Sequence, residues 1–506
     1  MLDQTSVHVD APTVTTPDDY RRVRDVLDRA GYTDENIVKL MGVDLSRLGE
    51  RKLPALLRRL NGGTPLETLV KLFILDQDVD AAAVQKALAP MTPESWAAIG
   101  LIEPAGAGQY GACVQLRCYQ GLILAYDFTR RGRGGVRSDF VMSVSPSTIV
   151  LLGMTVRRKN HAMLDLGAGC GIHALVAARH SDRAVGVDVN PRALAISRFN
   201  AGLNGLANVQ FRDGDMFSAV EGETFDLIVS NPPFIIQPES RHTFLNSGTE
   251  GDDICRRLAK DAPRFLNDGG FCIFNANWAV VDGEDWKARL AGWFDGSGCD
   301  ALVIEQGIVD LGEYAAGLIE IGEGEQAEFL RLFDRWMDYY AQRKIVNIGR
   351  GVIVMRKAGG RPNWFDVIAG PAEITFPSGD DVAQLVELHT FLHGLRDDRD
   401  LLDVRLRLAP NVRFEQTSQA VNGAWTQVSG RLRRVNGLGY SGAAEAMTAA
   451  LVARYDGQRA VRDHLTELAA AANTPVASIE PSALAIIRRL VEQGFLVPVD
   501  LVSPSA

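Results

Sequence analysis

The stretch from residue 161 to 175, HAMLDLGAGCGIHAL, constrains the fold of this chain more than any other. An apolar run leads into three glycines, Gly167, Gly169 and Gly171, and a helix-like segment follows them directly. Glycines at such a turn let a ligand approach the backbone closely, and the start of the next helix offers unpaired N–H groups. The pattern predicts a strand, a ligand-binding turn and a helix.

The same alternation continues from residue 138 to about 358. Strands are predicted at 161–166, 184–188, 208–212, 225–230, 270–275, 301–306 and 346–356. Helices are predicted at 171–180, 191–203 and 252–266. This alternation is typical of an α/β, doubly wound and mostly parallel sheet, which binds its ligands at the carboxyl ends of the strands.

The glycine-rich turn differs from a nicotinamide-binding turn, which would carry its third glycine at position 172, where this chain has Ile172.

Acidic residues follow two of the predicted strands. Asp188 ends the second strand, where a carboxylate can accept hydrogen bonds from both hydroxyls of a ribose. Asp215 follows the third strand and is succeeded by Met216 and Phe217, which suits an adenine ring held in an apolar slot.

The fourth predicted strand, FDLIV, ends in SNPPFIIQP at residues 230–238. Pro232 and Pro233 cannot continue a sheet ladder, because proline lacks an N–H and has a fixed φ. They predict a stiff turn that holds Asn231 and Phe234 in a set relationship at the strand end.

In this order the motifs resemble those of the class I S-adenosylmethionine-dependent methyltransferases that carry an NPP[FY] motif. LDLGAGCG is similar to their cofactor loop, VDVNPRAL to the ribose-binding strand end, GDMF to the adenine loop and FDLIVSNPPF to the catalytic loop. Residues 246–274 resemble the release factor glutamine methyltransferases, whereas the phenylalanine of NPPF is closer to the rRNA guanine-N2 methyltransferases.

The resemblance implies S-adenosyl-L-methionine as the cofactor and assigns roles to individual residues. Asp165 and the three glycines would contact its methionine end, Asp188 its ribose, and Asp215 with Met216 its adenine side.

The resemblance also makes Asn231, Pro232, Pro233 and Phe234 the catalytic loop. The side-chain carbonyl of Asn231 and the main-chain carbonyl of Pro232 can each accept one N–H of an NH₂ group, which orients the nitrogen toward a methyl donor. Phe234 offers a face on which a flat base or amide can stack. No strong general base is needed, and the nearby histidines His173 and His242 are weaker candidates, as proton shuttles.

The methyl acceptor is left open by the sequence. An RNA base, in ribosomal RNA above all, is the first choice, because of Phe234 and two local arginine runs. A protein glutamine or other peptide nitrogen is favoured by residues 246–251 and by the acidic stretch 138–360, which has 22 basic and 29 acidic residues. A small-molecule amine and a non-enzymatic, cofactor-sensing regulator that binds nucleic acid are the further alternatives.

Three domains are predicted. Residues 1–137 read as capped helices and a hairpin, a helical and winged-helix-like domain. Residues 138–360 would hold the methyltransferase domain, a Rossmann-like core with a seven-stranded sheet. Residues 361–506 would form an α+β domain that ends in a winged-helix-like module.

The chain has a net charge of −10, which argues against a protein that coats nucleic acid, but it contains two local arginine runs. One run, just before Phe140, contains Arg130, Arg131, Arg133 and Arg137, and a second contains Arg431, Arg433 and Arg434. If RNA is the substrate, the first run would have to bind it beside Phe140. The alternative is a solvated linker.

Composition predicts a cytoplasmic protein with reduced thiols. The chain shows no secretory signal or bilayer-length apolar window, and its six cysteines are scattered without a CxxC pair. His389 and His393 lie four residues apart, but no third ligand is near, which favours a surface helix over a metal site. No metal is predicted, and the oligomeric state is left open.

Overall fold

The structure is a computed structural model that describes residues 10–14, 16–42, 52–128, 137–238, 251–319, 326–371 and 374–501. The chain divides into two compact units. The first comprises Met1–Thr148, Lys159–Asp261 and Ala316–Tyr339, and the second comprises Ile149–Arg158, Ala262–Ala315 and Tyr340–Ala506. The division into three domains at residues 137 and 360 stays a prediction.

The first part of the chain contains helices and two small antiparallel sheets. Its helices are α1 (Pro17–Arg29), α2 (Asp34–Met41), α3 (Leu53–Arg59), α4 (Pro65–Phe73), α5 (Ala81–Leu88) and α6 (Pro93–Ile99). Its strands are β1 (Val79–Asp80), β2 (Ile102–Gly106), β3 (Gln109–Ala112), β4 (Gln115–Tyr119) and β5 (Leu122–Tyr126). The order β1–β3–β2 makes one sheet, and β4 with β5 makes the predicted hairpin. The winged-helix likeness of this part stays a prediction.

Side-chain caps explain where several of these helices begin. At α4 the Thr64 hydroxyl accepts from the N–H of Glu67 at 3.3 Å, while the Glu67 carboxylate accepts from the N–H of Thr64 at 2.8 Å. This reciprocal pair satisfies two N–H groups that a helix start leaves unpaired, and Pro65 supplies a fixed φ at the first helical position.

The α/β core of the first unit follows in the predicted order. Its elements are α7 (Pro146–Met154, which continues into the second unit), β6 (Asn160–Leu166), α8 (Ile172–Ala177), β7 (Ser181–Asp188), α9 (Pro191–Leu203), β8 (Val209–Asp213), β9 (Phe225–Ser230) and α10 (Asp253–Asp261). The strand order is β9–β6–β7–β8, and every pairing is parallel. The carboxyl ends of the four strands therefore share one edge.

Longer strands continue the chain in the second unit. The elements that follow are β10 (Leu266–Val281), α11 (Trp286–Ala291), β11 (Cys299–Asp310), α12 (Leu311–Leu318), α13 (Gln326–Gln342), β12 (Ile345–Lys357) and β13 (Phe365–Ala369). The end of α12 and most of α13 belong to the first unit again. Strand β12 is antiparallel to both β10 and β11, and β13 is parallel to β11. The predicted α/β class is confirmed, with eight core strands, four in each unit, where seven were predicted.

The last part of the chain is α+β. Its elements are α14 (Gly379–His393), β14 (Arg405–Leu408), β15 (Val412–Val421), β16 (Ala424–Arg434), β17 (Ser441–Ala443), α15 (Ala446–Val452), β18 (Asp456–Ala460), α16 (Val461–Ala471), α17 (Val476–Glu492) and β19 (Leu496–Pro498). The antiparallel orders are β18–β14–β19 and β15–β16–β17. Its winged-helix character also stays a prediction.

Helix α14 is not the surface helix predicted around His389 and His393. His389 is 2% exposed, and its Nδ1 lies 2.5 Å from Oδ2 of Asp366 on β13. Nε2 of His393 lies 2.9 Å from the same oxygen, and the Trp364 ring stacks on both imidazoles. The helix buries an apolar face that includes Leu385 and Leu388, and both histidines contact a carboxylate of β13.

Helix α9 pairs with strand β5 through side-chain amides. Asn204 accepts from the N–H of Ile123 at 2.9 Å and donates to its carbonyl at 2.7 Å. Asn200 does the same with Ala125, at 2.7 and 3.0 Å, and also donates to the carbonyl of Cys170 at 2.9 Å. Two asparagines thus take the place of a neighbouring strand, and one of them also reaches the glycine-rich turn.

Candidate active site

A cavity of about 190 Å³ lies at the shared carboxyl edge of the strands of the first unit. Nine residues predicted for the site line it: Phe140, Gly167, Gly169, Asp188, Asp215, Met216, Asn231, Pro232 and Pro233. The cavity therefore brings together the glycine-rich turn, both strand-end acids and the proline turn, as the strand order requires.

The glycine-rich turn joins β6 to α8. Gly167, Gly169 and Gly171 have φ values of 71°, 55° and 84°, a region that residues with a Cβ rarely adopt. A Cβ at Gly167 or Gly169 would meet no atom within 4 Å, so the turn presents open main chain to the cavity. A Cβ at Gly171 would lie 2.8 Å from the Phe211 ring, so this glycine serves packing and does not line the cavity.

Asp188 ties the turn to the end of β7. Its Oδ2 accepts from the N–H of Gly169 at 2.8 Å, and its Oδ1 accepts from the N–H of Asn190 at 2.8 Å. Burial raises the pKa of Asp188, against the lowering effect of these backbone donors. Each carboxylate oxygen has a further lone pair, so the acid can orient the loop and accept from a ligand hydroxyl at the same time.

Asp165 is fully buried under the turn and does not line the cavity. Its Oδ2 accepts from the N–H of Ala174 at 3.0 Å, which fixes the first turn of α8, while Oδ1 has no hydrogen-bond partner among the described residues. Burial, with a smaller contribution from the charge of Asp188, raises the pKa of Asp165 to about 7. Asp165 therefore supports the turn from below, and its contact with the methionine end of the cofactor stays a prediction.

His173 lines the cavity as a neutral ring. Burial lowers its pKa to about 3, and neither ring nitrogen has a partner within the described part of the chain. A base with so low a pKa stays unprotonated at neutral pH, which disfavours the shuttle role considered from the sequence. His242 lies outside the described residues.

Asp215 and Met216 follow β8 and also line the cavity. Met216 has a φ of 52°, an unusual conformation for a residue with a side chain. Asp215 is 66% exposed at its side chain, and its Oδ2 lies 3.3 Å from Nη1 of Arg257 on α10. No local pattern marks this arginine, because its partner lies 42 residues earlier.

The proline turn places two oxygen acceptors at the cavity. Ser230 at the end of β9 donates to the carbonyl of Leu166 at 2.9 Å, which fixes the strand end beside β6. The Pro232 carbonyl accepts from the N–H of Phe234 at 2.7 Å, so one of its two lone pairs is already used. Phe234 is half-buried and is not among the residues that line the cavity, and its stacking role stays a prediction.

The segment before α7 closes the cavity and carries the predicted substrate residues. Phe140 is buried and lines the cavity, but Arg137 does not. Arg137 donates to Asp139 at 2.8 Å and to Asp10 at 2.8 Å, so its charge is balanced by two carboxylates. The other three arginines of this run, Arg130, Arg131 and Arg133, lie outside the described residues.

A buried ion pair anchors the same segment. Asp127 accepts from the N–H of Val141 at 2.8 Å and pairs with Arg192 of α9 at 2.7 Å. Asn190 donates to the carbonyl of Asp139 at 2.9 Å. No local pattern in the sequence marks the Asp127–Arg192 ion pair or the Asn190 hydrogen bond, because the partners are far apart along the chain.

Family comparisons place known domains on the chain. Residues 141–280 match the methyltransferase small domain, and residues 29–112 and 384–498 each match a domain of unknown function.

Three relatives illustrate the similarity. The release factor glutamine methyltransferase of Xylella fastidiosa is 34% identical over 188 residues, which are 33% of this chain and 68% of that protein. The release factor glutamine methyltransferase of Geobacter sulfurreducens is 34% identical over 33% of this chain and 64% of its own length. The ribosomal protein uL3 glutamine methyltransferase of Bradyrhizobium diazoefficiens is 35% identical over 24% of this chain and 42% of its own length.

Proposed function

The chain belongs to the class I S-adenosylmethionine-dependent methyltransferases, and on that premise we propose that it methylates the side-chain amide nitrogen of a glutamine in a protein. S-adenosyl-L-methionine is the cofactor of this family, and the cavity fits it. The main chain is open at Gly167 and Gly169, the Asp188 carboxylate can accept from hydroxyls, and Oδ1 of Asp165 is a buried acceptor with no partner in the described chain.

The position of Asn231 and Pro232 carries the proposal. Both line the same cavity as the glycine-rich turn and Asp188, and each has a carbonyl oxygen. A glutamine NH₂ group has two N–H donors, which these two oxygens can accept, and its lone pair is then held in one direction. Because amide resonance delocalises that lone pair, fixed acceptors lower the barrier by favouring a pyramidal nitrogen as positive charge develops.

The bound cofactor supplies an electrophilic methyl group. Asn231 and Pro232 would hold the amide nitrogen that takes this methyl group from the sulfur, and the nitrogen would then lose one proton to water. A protonated amide is a strong acid, so this last step needs no base. The low pKa of His173 is consistent with such a site.

RNA, the first choice from the sequence, has less support. Phe234 does not line the cavity, and Arg137 is paired with two carboxylates. Arg434 of the second run is 2% exposed and pairs with Asp381. A phosphate contact requires a cation that solvent can reach and that is not already paired with a carboxylate. Neither arginine meets both conditions. The relatives named above methylate glutamine in proteins by their names, so release factors and ribosomal protein uL3 are the first targets to test.

Transfer of a labelled methyl group tests the proposal. The protein is incubated with S-adenosylmethionine labelled in its methyl group and with a cell lysate, and samples are then treated with protease or nuclease. We expect label that resists nuclease, is released by protease, and is recovered as N5-methylglutamine after complete proteolysis. Label in nucleotides, or in lysine or arginine, would overturn the glutamine assignment and leave the methyltransferase chemistry intact.

A further inference from the structure

Thr148 lies beside the proposed catalytic loop, in the first turn of α7. It is 5% exposed and lines the same cavity as Asn231. Its Oγ1 lies 3.4 Å from Nδ2 of Asn231, within range for accepting a hydrogen bond from that amide. The residue is therefore placed to act on the side chain to which the main orienting role is assigned.

Neighbouring hydroxyls fix the position of Thr148. Its N–H donates to Oγ of Ser145 at 3.2 Å, and the two side-chain oxygens are 2.9 Å apart. Ser145 Oγ also lies 2.8 Å from Oγ of Ser147. A hydroxyl has one proton and two lone pairs, so Thr148 can donate its proton to Ser145 and keep a lone pair for Asn231.

The two ends of the Asn231 amide are not equivalent for methyl transfer. The oxygen Oδ1 accepts hydrogen bonds, whereas the nitrogen Nδ2 only donates them. If Nδ2 faced the NH₂ group of the substrate, two sets of donors would oppose each other and no hydrogen bond would form. The amide must therefore be held with Oδ1 toward the cavity.

We propose that Thr148 is a positioning residue that accepts a hydrogen bond from Nδ2 of Asn231 and thereby turns Oδ1 toward the acceptor nitrogen. The inference rests on the proposed function, because it concerns the orienting role of Asn231. It adds a residue that no motif marks, since Thr148 precedes the glycine-rich turn and lies 83 residues before Asn231.

Thr148→Val tests this role, because valine keeps the shape and removes the hydroxyl. Initial rates are measured with a purified bacterial release factor as methyl acceptor, and binding of S-adenosylhomocysteine is measured by calorimetry. We expect kcat to fall about fivefold to tenfold, the effect of one hydrogen bond, with KM and the cofactor-product Kd within about twofold of wild type. Thr148→Ser should restore kcat. Thr155→Val is the matched control, since it removes a buried threonine hydroxyl just after the same helix that does not line the cavity.

The double variant separates positioning from general damage. In an Asn231→Ala background, Thr148→Val should cause no further loss, because the amide that it orients is absent. A Thr148→Val variant with wild-type kcat, or a loss that adds fully to that of Asn231→Ala, would overturn the proposal. Wild-type turnover in Asn231→Ala would overturn it too, because no orienting amide would then exist.

A second readout does not depend on the methyl acceptor. The two Nδ2 protons of Asn231 are assigned in the ¹⁵N-labelled protein by their loss in Asn231→Asp. We expect their resonances to shift in Thr148→Val and to stay in place in Thr155→Val. Unchanged resonances in Thr148→Val would overturn the proposal. If the release factor is not methylated but these resonances shift, the proposed substrate fails while the orientation by Thr148 stands.

Discussion

Asp165, which is fully buried in the first unit, and Asp366, which is half-buried in the second, are carboxylates whose surroundings shift the pKa in opposite directions. Burial raises the pKa of Asp165 to about 7, and a single backbone N–H supports it. Burial also acts on Asp366, but hydrogen bonds and charge from His389 and His393 outweigh it and lower the pKa. Asp366 thus has two imidazole partners on the neighbouring helix. Asp165, under the glycine-rich turn, has one backbone donor within the described part of the chain, and its Oδ1 has none.

The largest effect should be on the free energy of unfolding, through the protonation of Asp165. Its pKa in the folded protein lies above the ordinary value of 3.8, so the stability linked to this group is greatest below about pH 4 and is lost as the pH rises to about 7. The difference corresponds to about 4 kcal/mol. Asp165→Asn should remove this slope in thermal unfolding of the cofactor-free protein between pH 4 and 8. If the difference in stability between Asp165→Asn and wild type stays constant from pH 4 to 8, the contrast drawn between Asp165 and Asp366 is wrong.

Turnover should depend on the cavity and not on the histidine pair. Asn231→Ala should lower kcat on the order of 10²-fold, because the fixed acceptor for the substrate N–H is lost, with the Kd of S-adenosylhomocysteine unchanged. Methyl transfer to the labelled protein fraction and calorimetry measure the two quantities. Asn61→Ala, at an exposed asparagine, is the matched control. Near-normal kcat in Asn231→Ala would contradict the role of Asn231 as the acceptor that orients the substrate nitrogen.

Cofactor affinity should distinguish Asp188 from Asp366. Asp188→Ala removes a charged acceptor and two hydrogen bonds that hold the glycine-rich turn, so S-adenosylhomocysteine should bind about 30-fold more weakly, or about 2 kcal/mol. Asp366→Ala should leave this Kd unchanged in calorimetry at neutral pH. Equal losses in both variants would mean that the Asp188 effect is indirect.

The smallest effect should come from Asp366, and it should have the opposite sign to that of Asp165. Because its pKa is lowered in the folded protein, its contribution to stability is present at neutral pH and is lost as the pH falls below about 4. Asp366→Asn should cost about 1.5 kcal/mol at pH 7 and progressively less toward pH 3. Denaturant unfolding at both pH values measures it. A cost that does not change with pH would show that the histidines are not its partners.

Local signals predicted the elements well where a cap or a period marks them. Apolar runs between helix-like segments predicted β6 to β9, and a threonine followed by a proline stands at the starts of α1 and α4. Helix α3 has no such signal, because its cap position holds Lys52, which makes no side-chain cap. Strand β13 was missed because it is five residues long and follows a glycine–proline stretch.

Side-chain pairing was harder to predict than position along the chain. The run RLRR reads as uniformly exposed, but strand β16 alternates, so Arg434 shares the buried face with Leu432 and meets Asp381. The partner lies 53 residues away in sequence, beyond any local pattern. The site shows the same limit. Gly167, Asp188 and Asn231 follow from motifs, whereas Thr148 and Arg257 enter through tertiary contacts.

The amide ladder between α9 and β5 has a consequence for hydrogen exchange. The amide protons of Ile123 and Ala125 are held by asparagine side chains of a helix, and one of these, Asn200, also holds the Cys170 carbonyl of the glycine-rich turn. Opening of that turn and exposure of the Ala125 amide should therefore be linked through one side chain. The exchange rate of a hairpin amide in the first part of the chain thus becomes a reporter of order in the cofactor loop, readable without ligand or substrate.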